Sequence, residues 1–219
     1  MDTTHIKLKF IFNIINESGL EYWASGGTLL GAIRHKDIIP WDDDIDLDVF
    51  DTIENNEKIL YMEGYLNSVG LSLCKTEWGY KIYYTEGKKI SYNPWSKHIT
   101  ETGKLYPNLD RVSVVPMAKE TYIKPKNKCY YEWRFPSLDL FLVQNVSNKI
   151  IYNYPEKFYH DFIDLYPLQD AEFGEVKIKI PFKPFPYLYR GYGEKCMTVG
   201  KIYYNHELEK KVKIKYISI

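Results

Sequence analysis

Between Ser25 and Phe50 the chain reads SGGTLLGAIRHKDIIPWDDDIDLDVF, and the second half of this stretch most narrows the available folds. Five aspartates, Asp42, Asp43, Asp44, Asp46 and Asp48, fall within seven positions. They cannot all be buried, ionised and unpaired, because two carboxylates about 4 Å apart repel by roughly 4 kcal/mol at an effective dielectric near 20. From Asp44 onward acidic and apolar residues alternate, and side chains alternate across a strand. The pattern predicts a strand anchored in a core by Ile45, Leu47 and Val49. Asp44, Asp46 and Asp48 then share the other face and converge on a positive charge.

Several owners of that charge are open. A calcium loop of the EF-hand type needs glycine at its sixth position and glutamate at its twelfth. Counting from Asp42 gives Leu47 and Ile53, and counting from Asp44 gives Val49 and Asn55, so that pattern fails. A solvated acidic loop is the bland alternative, and the regular apolar alternation opposes it. Magnesium or manganese holding a diphosphate remains, since a hard divalent cation takes carboxylate and phosphate oxygens together. Gly26 and Gly27 precede a short apolar helical pattern, where unpaired backbone N–H groups favour an anionic ligand. No Gly-Lys-Ser/Thr follows, which excludes the Walker loop. Arg34 either binds a phosphate bidentately or complements the helix C-terminus. His35 reads as a surface cap, and Trp41 as either a base-stacking or a core indole.

Lys and Arg total 29, as do Asp and Glu, so the chain has no electrostatic footprint for nucleic acid. No apolar run reaches transmembrane length and MDTTHIKLKF is no secretory signal, from which a cytoplasmic location is expected. Cys74, Cys129 and Cys196 stand far apart, against a disulfide framework or structural zinc.

Taken in order, the sequence predicts a helix from Thr3 or Thr4 to about Gly19 with Ile6, Phe10, Ile11, Ile14 and Ile15 as its stripe; a strand is the alternative for its start. Leu20 to Ala24 reads as a strand. Thr52 to Val69 reads as one helix with Ile53, Ile59, Leu60 and Leu66 inward and Gly70 as its stop. Leu71 to Lys75 and Tyr80 to Tyr84 read as strands, the latter turning at Glu86-Gly87. Lys88 to Asn108 reads as a lid-like loop, Arg111 to Val115 as a strand, and Lys119 to Lys128 as exposed. Ser137 to Val146 is a core strand, Asn153 to Leu165 a helix, and Lys177 to Phe182 an edge-like strand. Pro184 to Lys195 reads as an aromatic turn, and the tail from Glu207 as a helix followed by a strand. No partner for His206 is visible.

Asp139 lies between Leu138 and Leu140, where an isolated carboxylate is costly unless neutralised. Two readings stand. It joins Asp44 and Asp46 around a metal, or it pairs with a core cation, Lys81 or Arg111.

The long block from Ser25 to Phe50 resembles the signature of the LicD family, which includes bacterial phosphocholine transferases and the eukaryotic fukutin and fukutin-related proteins. SLDLF and KIPFKPFPYLYRGYGEKC resemble its remaining blocks, while no nameable counterpart is expected for Leu71 to Pro136. Gly26 stands where a serine is common, and Thr198-Val199 where a proline often follows. The resemblance implies a single domain over 1–219 (core 20–150, C-terminal extension 151–219), with a nucleotidyltransferase-like α/β (mixed α+β) fold, a mixed sheet flanked by helices. It implies Asp44, Asp46 and Asp139 as the catalytic, metal-holding triad, and Gly26, Gly27 and Thr28 as the turn receiving donor phosphates. It also implies a CDP-linked donor whose phospho-alcohol passes to a hydroxyl of a glycan or other acceptor, releasing CMP.

The combined expectation is a phosphotransferase dependent on Mg2+ or Mn2+, with Arg34 and Lys81 adding positive charge at the donor phosphate. A DxD glycosyltransferase using a nucleotide-sugar and a non-catalytic nucleotide- or glycan-binding module are the competitors. The reading needs the carboxyl of Asp139 beside those of Asp44 and Asp46. If that carboxyl lies far from the pair, or is buried against a cation of the chain, the metal assignment falls.

Overall fold

The computed structural model describes residues 3–76, 78–92, 131–152, 158–208 and 210–219. The chain divides into two units, one of residues 1–90 with 133–219 and one of 91–132. The second falls almost wholly outside the described residues, as do the strand expected at Arg111 to Val115, residues 93–108 of the expected lid and the stretch Lys119 to Lys128.

In the first unit, α1 (Thr3–Glu17) settles the helix-or-strand question at the start. Leu8, Ile11, Phe12 and Ile15 follow helical spacing and are fully buried, whereas Ile6 and Phe10 of the expected stripe face outward. β1 (Trp23–Ala24) leads through Ser25 into α2 (Gly26–Arg34), and β2 (Ile45–Phe50) is the acidic strand. Ile45, Leu47 and Val49 have no solvent exposure, as the alternation requires.

The single helix expected after β2 is two, α3 (Ile53–Tyr61) and α4 (Glu63–Ser68), broken at Met62. Thr52 caps α3 by accepting from the Asn55 N–H at 3.1 Å. Ile59 and Leu66 point inward, but Ile53 is 81% exposed and Leu60 51%, so those two positions are corrected. Gly70 stops α4 with a φ of +79°.

β3 (Leu71–Lys75) pairs antiparallel with β4 (Gly79–Tyr92). β4 runs straight through Glu86-Gly87, where a turn was expected. A Cβ on Gly87 would lie 2.7 Å from the Phe135 carbonyl oxygen, so the glycine serves close backbone approach. β5 (Tyr131–Val146) is longer than the SLDLF pattern suggested and lies between β2 and β4 in the order β1-β2-β5-β4-β3. Ser147 and Asn148, both at positive φ, turn β5 into the antiparallel β6 (Lys149–Tyr152).

β7 (Tyr159–Asp161) adds to β6; of the helix expected over Asn153 to Leu165, residues 153–157 lie outside the described residues, Tyr159–Asp161 is strand and Phe162–Leu165 (α5) is helical. β8 (Gln169–Phe173) and β9 (Val176–Ile180) form a separate hairpin. The expected aromatic turn is instead α6 (Pro184–Tyr192): proline is tolerated in a first helical turn, and Gly193, at φ +84°, follows the last. A short 3-10 turn, Glu194–Met197, precedes a second hairpin of β10 (Val199–Asn205) and β11 (Lys210–Ser218), where the tail was expected to begin as a helix. The main core draws on α1, α2, β2 to β5, β8, β9 and α6 in one cluster. The observed class is α+β with a mixed sheet, and no described helix is long and apolar enough to cross a membrane.

His160 of β7 is 1% exposed, stacks on Tyr187 at 4.1 Å between ring centroids, and has no hydrogen-bond partner on either ring nitrogen among the described residues. Burial, with Arg190 adding to it, pushes its pKa down to about 3. An unfolded histidine near 6.5 binds a proton that the folded one refuses, so this residue removes stability as pH falls from about 6.5 toward 3. His160→Phe keeps the stacked ring and removes that liability. In urea melts at pH 7 and pH 4.5, the variant is expected to lose about 2 kcal/mol less than the parent over this interval. Equal losses would show that His160 does not carry the acid sensitivity.

Candidate metal centre

Parallel pairing of β2 with β5 places Asp46 directly opposite Asp139. Neighbouring strands run about 4.8 Å apart, so paired side chains on one face meet. Asp44, just before β2, completes the set: one carboxylate oxygen from each of Asp44, Asp46 and Asp139 lies within 4.8 Å of the others. Asp44 also belongs to a second group, with Asp42, Asp43 and His206.

The glycine pair is shaped by these acids. Gly26 sits at φ +52°, and a Cβ there would stand 2.7 Å from Asp46 Oδ2. A Cβ on Gly27 would stand 2.5 Å from Asp42 Oδ2. Two hydrogen bonds stitch this turn to β2: the Asp46 N–H donates to Thr28 Oγ1 at 2.8 Å, and the Ser25 N–H to the Asp46 carbonyl at 3.1 Å. The turn therefore presents bare backbone to the acidic face at the N-terminus of α2.

Asp139 meets the second condition as well as the first. It is 4% exposed, and Lys81 Nζ lies 2.5 Å from its Oδ2 while Trp78 Nε1 donates to Oδ1 at 3.0 Å. Lys81 also donates to Ser137 Oγ at 3.3 Å and lies 4.8 Å from the Trp133 ring centroid. The two outcomes point opposite ways: the place beside Asp44 and Asp46 is the one a metal role needs, and burial against Lys81 is the one set against it. It sits with Asp44 and Asp46, and it is paired to a cation of the chain; Arg111, the other named candidate, lies outside the described residues.

Charge is unevenly distributed. Burial, reinforced by Asp44 and Asp139, holds the Asp46 carboxyl well above the ordinary carboxylate range. Burial raises Asp44 too, with Asp139 and Asp43 adding and His206 opposing. Asp42 is pushed up to about 8 by burial and then by Asp44. Burial works against the His206 cation, yet Asp44 and Asp43 raise it to about 10. Its Nδ1 is 2.6 Å from Asp43 Oδ1 and its Nε2 3.1 Å from Asp44 Oδ2. With Lys81 and His206 both in place, burial and neighbouring carboxylates still raise Asp42, Asp44 and Asp46 above the ordinary range.

Not every expected residue arrives free. Gly26 and Gly27 stand at the acids, but the Gly26 N–H already donates to Tyr187 Oη at 3.0 Å. The Thr28 hydroxyl is buried and taken by Asp46 N–H. Arg34 Nη1 donates to the Cys196 carbonyl at 2.5 Å, in the 3-10 turn after α6, and its guanidinium lies 5.7 Å from the Trp41 ring. His35 caps α2, and Trp41 packs against the core beside Gly200. Lys81 is engaged by Asp139. Asp48 leaves the acidic set: it is fully buried and accepts from Tyr152 Oη at 2.6 Å. His206, for which the sequence offers no partner, meets Asp43 and Asp44, and no local pattern connects β10's far end to Asp43.

Fold and site define an α+β protein whose paired parallel strands present carboxylates to a glycine turn at a helix start. The family described as LicD/FKTN/FKRP, nucleotidyltransferase domain, matches residues 19–136, just over half of the chain, and the chain belongs to that family; the match takes in Leu71 to Pro136, where no counterpart was expected. An uncharacterized protein of Rickettsia prowazekii is 26% identical over 194 residues, covering 85% of this chain and 53% of that protein. Human ribitol 5-phosphate transferase FKRP is 32% identical over 92 residues, 40% of this chain and 19% of FKRP. Lipopolysaccharide cholinephosphotransferase LicD of Haemophilus influenzae is 68% identical over 28 residues, 13% of this chain and 11% of its own. The chain spans about half the length of the rickettsial relatives it matches.

Proposed function

We propose that the chain is a phosphotransferase that moves a phospho-alcohol from a CDP-linked donor to a hydroxyl of a glycan or related acceptor, with Mg2+ or Mn2+ at the acidic cluster. The observation carrying this reading is the convergence of Asp44, Asp46 and Asp139 within 4.8 Å. The residues fit a hard divalent ion: the donors are all carboxylate oxygens, one from each residue within 4.8 Å of the others, and glycine at 26 and 27 leaves room beside them. Bound there, the ion would neutralise phosphate charge and polarise the transferring phosphorus.

The chain's own contribution is positioning and electrostatics. The N-terminal turn of α2 receives phosphate oxygens through backbone and helix dipole. An aspartate of the cluster accepts the proton of the attacking hydroxyl, and burial, which raises Asp44 and Asp46 above the ordinary carboxylate range, favours that role. Lys81 fixes the Asp139 carboxylate between itself and Trp78. The relatives' named activities, ribitol 5-phosphate and cholinephosphate transfer, support the same chemistry.

A thermal-shift screen of CDP-alcohols, UDP-sugars and nucleoside triphosphates, with and without magnesium, tests this. A metal-dependent rise in Tm confined to CDP compounds is expected. A rise with UDP-sugars accompanied by sugar transfer would make the protein a DxD glycosyltransferase. Tight nucleotide binding without metal dependence or turnover would make it a binding module.

A further inference from the structure

The first turn of α2 has an unusual cap. A helix's first N–H groups have no partner within the helix, and a serine at the position before it normally accepts from one of them. Ser25 holds that position, yet its side chain makes no cap hydrogen bond. The Gly26 N–H donates instead to Tyr187 Oη, 161 residues away on α6.

That hydroxyl does not end the line. Tyr187 Oη lies 3.0 Å from Tyr152 Oη, and Tyr152 donates to Asp48 Oδ2 at 2.6 Å. Since the Tyr152 proton is committed to Asp48, Tyr187 must be the donor between the two tyrosines. Each hydroxyl therefore donates once and accepts once in a single direction, from the Gly26 N–H to the Asp48 carboxylate. Tyr187 is 2% exposed and Asp48 fully buried, and the Tyr187 ring is held between His160, stacked at 4.1 Å, and Phe158 at 5.6 Å. Packing alone would be served as well by phenylalanine. The hydroxyl is needed for the chain.

Asp48 stands two residues beyond Asp46 on β2. The hydrogen-bonded line thus leaves the glycine turn, crosses α6 and β6, and returns to the strand whose Asp46 Oδ2 faces Gly26. We propose that Tyr187 and Tyr152 are positioning residues that fix the spacing between the Gly26 turn and the acidic strand, so that phosphate and cation are received at one set distance. This rests on the phosphotransferase reading for its purpose, though the clamp itself is a property of the fold. Tyr187 touches neither substrate nor cation; it acts through Gly26.

The test compares Tyr187→Phe, Tyr152→Phe and the double variant with the parent protein. Three readouts are taken: amide hydrogen exchange at Gly26 against Leu140, Mn2+ affinity by electron paramagnetic resonance of the free ion, and Tm. Exchange at Gly26 is expected to accelerate about 10-fold or more in Tyr187→Phe with Leu140 unchanged, and the Mn2+ dissociation constant to rise about 10-fold, as for other groups that orient ligands. The double variant is expected to resemble the stronger single one, because one line is cut once. A lower Tm with Gly26 exchange unchanged would overturn the proposal, since a merely structural tyrosine does that. A parent protein that binds no Mn2+ would sink the metal reading, while exchange at Gly26 would still decide the clamp.

Discussion

Asp46→Asn is expected to lose at least about 10³-fold in phospho-alcohol transfer and about 10²-fold or more in Mn2+ affinity, while melting at a higher temperature than the parent in chelator. The first two losses follow from removing a cluster oxygen that carries charge. The gain in stability follows from the cause of the pKa displacement. Asp46 is raised well above its ordinary value first by burial and then by Asp44 and Asp139, all unfavourable to a folded carboxylate. An amide of the same shape escapes them. Relief of about 1 kcal/mol would raise Tm by about 2–4 °C for a chain of this size. Activity loss with a stability gain is the signature of a site strained for function. Full turnover in Asp46→Asn, or a falling Tm in chelator, would remove Asp46 from the centre.

Lys81→Met carries the second large effect. The Lys81–Asp139 pair is almost wholly enclosed, with side chains 6% and 5% exposed. Removing one member of a buried pair leaves an uncompensated charge and costs about 3–5 kcal/mol. Urea melts in chelator should show that loss. Two controls divide the readings of Asp139. The double variant Lys81→Met/Asp139→Leu should recover most of the parent's stability, because apolar groups replace both charges. Adding Mg2+ or Mn2+ to Lys81→Met should restore stability in part, because a divalent cation can take over the charge Lys81 supplied. A variant that no divalent ion rescues would leave Asp139 a structural carboxylate and strip the cluster to Asp44 and Asp46.

The acidic strand was readable because its information is local. A strand repeats every two residues, so Ile45, Leu47 and Val49 declare the buried face, and Asp44 and Asp46 the other. Asp139 was readable as an anomaly, one carboxylate in an apolar run. Its pairing with Lys81 could be named only as one of two options, because the register of β4 and β5 is set by tertiary packing. Asp48 obeys the same alternation as Asp46 yet serves a different partner, since Tyr152 arrives from a hairpin that no local signal describes. His206 fails to stand out for the same reason. The misread α6 shows composition overriding period: PFPYLYRGYG has the proline and glycine of a turn, but both sit at the ends, where a helix accepts them. Conversely, Gly87 looked like a turn and is a point where two backbones nearly touch.

The parallel alignment of β2 with β5 has a kinetic corollary. Partners drawn from positions 46 and 139 come together only after a wide stretch of chain has been looped out, and parallel pairing of this kind is slow to form. No fragment ending before β5, and no collapsed state lacking that alignment, can assemble the three-oxygen cradle. A divalent ion with affinity for the cradle would thus recognise the finished molecule alone, stabilise it by mass action and leave earlier states untouched. Ion uptake followed during refolding would then mark the moment at which the sheet closes.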